Sequence, residues 1–123
     1  MVRMIPKRQS DEITTYKNDF ATGSVTATTS EQTALIVMSE QREITVYIHN
    51  KDTSVTDTVR IYACRPDKSG SADDDWFMFS DTVTLAPNTK SEPISVVGKY
   101  HRIKITVQGD GNAEGRTEIS AEW

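Results

Sequence analysis

An all-β fold is what this sequence predicts: a single antiparallel β-sandwich, jelly-roll-like, of about eight strands, with an extended N-terminal arm. Three observations carry that expectation. The 123 residues include 16 Thr, 10 Val and 10 Ile against only two Leu, Leu35 and Leu85, and β-branched side chains suit a pleated surface better than a helix. Polar turn signals punctuate the chain at intervals of about 8 to 12 residues, the rhythm of a sandwich. The length allows one hydrophobic core and no second.

The elements follow in order. Residues 1–20 read as the arm: polar, containing Pro6, without a sustained period, and with Tyr16 and Phe20 as their only aromatics. Residues 21–123 read as the sandwich. A first edge strand is expected around Ser24–Thr29. Thr33–Ser39 is a continuous apolar run, as in a strand covered on both faces. Glu43–Asn50 alternates, placing Ile44, Val46 and Ile48 on one face and Thr45, Tyr47 and His49 on the other. Val55–Arg65 does the same, with Val59, Ile61 and Ala63 inward and Arg60, Tyr62 and Cys64 outward. Pro66–Asp75, rich in Asp, Ser and Gly, is the longest loop.

Trp76–Phe79 is aromatic on both parities, and Thr82–Leu85 is a strand closed by the turn-forming Ala86-Pro87-Asn88-Thr89. Ser91–Val97 follows. Tyr100–Val107 sends Ile103, Ile105 and Val107 inward and Arg102, Lys104 and Thr106 outward. Gly109-Asp110-Gly111-Asn112 has the composition of a hairpin connection with φ > 0 at Asp-Gly. Arg116–Trp123 closes the chain, with Thr117, Ile119, Ala121 and Trp123 on one face.

Charge and motif content narrow the function. Fourteen basic against 18 acidic residues give a net charge of −4, poorly suited to a nucleic-acid partner, which needs a concentrated basic face. Arg3, Lys7 and Arg8 nevertheless make the first eight residues cationic, so the arm reads as a tether to an acidic partner surface. The single cysteine, Cys64, permits no intrachain disulfide. No signal-peptide core is evident and the longest apolar run, Ala34–Met38, is too short to cross a bilayer. Synthesis in a host cytoplasm is the expectation.

The residues offer little for catalysis. His49 and His101 lie on expected strands without metal-ligand spacing. No nucleophile elbow, P-loop or dinucleotide fingerprint occurs. Asp73, Asp74 and Asp75, with Asp67 near, could supply oxygens to calcium, but successive aspartates diverge and the EF-hand order is missing; a solvated loop is the alternative. No catalytic residue, cofactor or metal site is therefore expected. The aromatics remain. Tyr47, Tyr62 and Tyr100 share outward parity and Trp76, Phe77 and Phe79 crowd one segment, so neighbouring strands would carry an aromatic stripe on one sheet. Such a stripe either stacks sugars or lies beneath the arm or a neighbouring subunit.

The order of segments carries a resemblance. Glu43-Ile44-Thr45-Val46-Tyr47-Ile48, Val59-Arg60-Ile61-Tyr62-Ala63-Cys64-Arg65, an Asp-rich loop before Trp76, Thr82-Val83-Thr84-Leu85, Pro87-Asn88-Thr89 and Lys99-Tyr100-His101-Arg102-Ile103-Lys104-Ile105 together resemble small sandwich proteins of tailed-phage virions, of the head-decoration and capsid-associated type. The outline is also similar to discoidin-like lectin domains, although Ser71-Ala72-Asp73-Asp74-Asp75-Trp76 lacks that family's Gly. The first resemblance implies a non-enzymatic viral structural protein in the virion. It would decorate or cement a capsid through protein–protein contacts, as a homo-oligomer or in many copies, without nucleic acid or membrane. Arg3, Lys7, Arg8, Tyr16, Phe20, Tyr47, Tyr62 and Trp76 are then the partner-binding candidates. The second implies a carbohydrate-binding or host-attachment module using Trp76, Tyr47 and Tyr62.

Overall fold

The computed structural model describes residues 19–38, 43–79, 82–98 and 102–123. Arg3, Lys7, Arg8, Tyr16, Tyr100 and His101 lie outside them. Among the described residues the fold is all β, as expected. Ten strands form two antiparallel sheets: β1 (Phe20–Val25), β2 (Gln32–Met38), β3 (Glu43–Asn50), β4 (Asp57–Cys64), β5 (Trp76–Met78), β6 (Val83–Leu85), β7 (Thr89–Lys90), β8 (Ile94–Val97), β9 (Arg102–Gly109) and β10 (Thr117–Glu122).

The first sheet runs β1-β10-β3, with β7 and β8 on successive stretches of β3's free edge; the second runs β2-β9-β4, with β5 and β6 sharing β4 in the same way. Each sheet thus has four strand positions. Apart from the β4–β5, β5–β6 and β7–β8 links, every connection crosses between sheets, which is the double-Greek-key wiring of a jelly roll.

Alternation in the sequence determines the core. Ile44, Val46 and Ile48 of β3, Val59 and Ile61 of β4, Ile103, Ile105 and Val107 of β9, and Ile119 and Ala121 of β10 are all buried between the sheets. Trp123 and Phe79 pack at the margin of this cluster. A strand with one face on the core and one outward needs this period of two.

Five expectations need correction. The first strand begins at Phe20, not Ser24, because Phe20 through Val25 pair with Glu122 through Thr117, and Asp19 exchanges two backbone hydrogen bonds with Trp123. The apolar run after Thr33 is not covered on both faces: β2 is an edge strand, Val37 is buried, but Ile36 is 49% and Met38 60% exposed. Cys64 is not outward to solvent but buried, because the 65–75 loop folds back over it and its thiol donates toward the Arg65 and Lys68 carbonyls. Residues 109–112 do not close a hairpin, since β9 and β10 belong to different sheets and the chain crosses the end of the sandwich there. Positive φ falls instead on Asn88, in the Pro-Asn turn, and on Gly70 and Gly98. Finally, Tyr47 and Tyr62 share no sheet: β3 is in the first and β4 in the second, so the aromatic stripe does not form.

Candidate functional site

Register places two different surfaces on the outer faces. On the first sheet, Thr22, Ser120 and Tyr47 form one cross-strand row, and Ser24, Glu118, His49 and Lys90 the next. Short side chains on β1 and β10 leave a trough of about 670 Å³ beside Tyr47 and His49. Its polar groups are mostly paired. Lys51 bridges Glu118 at 3.2 Å, and Arg116 donates twice to the Ser24 hydroxyl at 3.0 and 2.8 Å. Tyr47 donates to Glu122, and that bond raises the phenol's pKa.

The second sheet carries the denser constellation. Ile36, Lys104, Tyr62 and Met78 lie in register across β2, β9, β4 and β5. The next row holds Met38 and Arg102, and beyond them Cys64 opposite Trp76. The Lys104 ammonium stands 4.6 Å from the Trp76 ring centre and 5.2 Å from that of Tyr62, within cation–π range of both.

Glu31, just ahead of β2, accepts from the Tyr62 hydroxyl at 2.8 Å and from Thr106 at 2.5 Å, and lies 3.7 Å from Arg60. Burial pushes its pKa upward, but those two hydrogen bonds and the charges of Arg60 and Lys104 prevail and hold it below the usual value. The Tyr62 phenol is shifted up, by burial first and by Glu31 second. Glu31, Tyr62 and Thr106, together with Thr33, Asp73, Trp76 and Lys104, line a cleft of about 360 Å³.

The Asp-rich loop is a support for this cleft. Asp73–Asp75 form one 3₁₀ turn, and Asp75 turns inward to accept from the Gly70 and Ala72 amides at 3.0 and 3.2 Å. Trp76 Nε1 donates to the Gly70 carbonyl at 3.0 Å, locking the indole under the loop. Asp73 and Asp74 point away into solvent, and no group of three or more metal-ligating side chains occurs among the described residues.

Of the sequence candidates, then, Tyr62 and Trp76 meet; Tyr47 sits on the opposite face; Phe20 is 72% exposed at the start of β1. Arg102, Lys104 and Thr106 have outward parity in the sequence, but nothing local singles them out, or Glu31, Ile36 and Met38, as site residues. Only the β2–β9–β4–β5 pairing brings them together, and no local pattern encodes that order.

One flank of the sandwich has its own character. The edges β1 and β2 lie side by side, close enough that a Cβ on Gly23 would meet the Ala34 carbonyl oxygen at 2.2 Å. Phe20–Val25 and Gln32–Met38 contain no charged residue in a chain that is 26% charged. On the opposite flank Phe77, Met78 and Val97 are 50–58% exposed.

No known protein family and no curated protein matches the chain. Among solved structures it is similar to a chain described under "Bacillus endospore appendages form a novel family of disulfide-linked pili", with a TM-score of 0.50, 16% identity, and coverage of 98% of this chain and 97% of that one. The likeness is one of fold, and it is to a pilus protein rather than to a phage head protein. No helix among the described residues is long and apolar enough to cross a membrane.

Proposed function

We propose that this chain works by contact rather than by chemistry: it is a non-enzymatic structural subunit of a multi-copy assembly, decorating or cementing a virion or building an appendage. The observation that carries this reading is the charge-free β1–β2 flank. Natural edge strands guard their unpaired amides with Lys, Pro or bulges. Here β2 presents Ile36 and Met38 instead, with only the irregularity after Thr33 to interrupt it. A second copy is the occupant this flank suits, because it offers both edge hydrogen bonds and matching apolar surface.

The apolar residues of the opposite flank let each copy hold two neighbours. Contacts between unlike flanks generate rings when they close and filaments when they do not. The fold shared with the endospore appendage protein supports a multi-copy role, whereas its disulfide linkage does not transfer. Cys64 is buried, and burial followed by the Asp75 charge raises its thiol pKa, so a Cys64 disulfide between copies is disfavoured.

Sedimentation velocity over a range of concentrations tests this. The native chain is expected to grow into larger species as concentration rises, and I36K/M38K, which charges the edge, is expected to stay monomeric with an unchanged circular dichroism spectrum. A native chain that remains monomeric throughout, or a charged variant that assembles equally well, overturns the proposal.

A further inference from the structure

The cleft on the second sheet has a feature that edge contacts do not use. Lys104 and Arg102 stand two residues apart on the outward face of β9, about 7 Å along the strand. Neither enters an ion pair among the described residues, whereas Arg60, Lys51 and Arg65 each do. The Arg102 Nε is buried and has no hydrogen-bond partner among the described residues. Lys104 is held in position by two aromatic rings and acts on Glu31 across the cleft without forming a direct ion pair to it. Lys104, positioned by the rings, and Arg102 two residues along the strand make a local pair of cations beside Trp76, complementary to an anion.

The remaining lining selects the kind of anion. Glu31 and Asp73 are carboxylates, which accept hydrogen bonds from hydroxyl groups and repel a dense polyanion such as a nucleic acid. Thr33 adds a hydroxyl, that of Thr106 being donated to Glu31, and the indole of Trp76 offers an aromatic surface for C–H groups. A ligand that satisfies all of these is rich in hydroxyls and sparse in negative charge. The volume of about 360 Å³ is at the lower end of the range for small-molecule sites.

We propose that the Tyr62–Trp76–Lys104 cleft, extended by Arg102, binds an acidic saccharide of the uronic-acid class. The sugar carboxylate pairs with Lys104 and Arg102, and its hydroxyls donate to Asp73 and to the free valences of Glu31. This activity is additional to assembly and requires only the folded chain.

Calorimetric and tryptophan-fluorescence titrations of the full chain test it, using a short oligogalacturonate, a neutral oligogalactan and a poly-glutamate peptide. Saturable binding of the oligogalacturonate, weakened by salt, is expected, with K104Q and R102Q each binding about tenfold more weakly at unchanged melting temperature. Three results overturn the proposal. These are absence of saturable oligogalacturonate binding, undiminished binding in both folded variants, and equal binding of the neutral galactan or the poly-glutamate. The last would mean that charge or polymer shape alone is being read.

Discussion

Asp52 shows how much one side chain can organise. It sits in the β3–β4 loop, almost wholly buried, and accepts from four amides: Glu114 and Gly115 on one oxygen, at 2.9 and 2.7 Å, and Ser54 and Val55 on the other, at 3.0 and 2.7 Å. Those bonds, led by Gly115, hold its pKa well below the ordinary carboxylate range. A depressed folded-state pKa stabilises the fold above the unfolded value, about 3.9, and that contribution is lost as pH falls further. D52N is therefore expected to melt lower than the native chain at pH 7, with the gap closing below about pH 4. Thermal melts across pH check this, and two parallel curves would contradict it. Asp57, buried and accepting from Thr117, runs the other way: burial, then the charges of Asp52 and Asp110, raises its pKa. Its ionisation weighs against the fold as pH rises above the ordinary carboxylate value. Neither role was legible in the sequence. Asp52 looked like any loop aspartate, because its partners at 114 and 115 are about sixty positions away.

At the scale of the element, the alternating strands were legible and the edges were not. Ile44-Val46-Ile48 and Ile103-Ile105-Val107 declared their buried face by parity, since solvent on one side enforces polar residues at every second position. The run Ala34–Met38 misled for the same reason: unbroken apolarity signals cover on both faces, whether the cover is the same chain or another molecule. The two edges also depend on a small residue. Gly23 points toward β2, where the Ala34 carbonyl and the Leu35 Cβ leave no room for a methyl group. G23A is expected to force the two edges apart and destabilise the fold by about 2 kcal/mol or more, read by chemical denaturation. A loss below about 0.5 kcal/mol would show that β1 yields without strain.

For the molecule as a whole, the sandwich class followed from composition, but the wiring did not. Turn residues at 109–112 resemble a hairpin locally, and nothing local tells a chain that reverses within a sheet from one that crosses to the other. The division into residues 1–20 and a sandwich from 21 on remains a proposal, and it makes a distinct prediction. Deleting residues 1–16 is expected to leave the melting transition in place while weakening self-association, with the cationic Arg3, Lys7 and Arg8 removed. Assembly at full strength by the shortened chain would assign the contacts to the flanks alone.

The reciprocal backbone bonds between Asp19 and Trp123, both 3.0 Å, bring the N-terminal entry to the sandwich and the final residue to the same corner. Cargo fused after Trp123 would leave the sandwich beside Asp19 and the start of β1. A few-residue linker could also splice Trp123 to Asp19 and let the backbone be reopened at the Pro66–Ser71 loop, giving a permuted chain whose new termini emerge beside the proposed saccharide cleft.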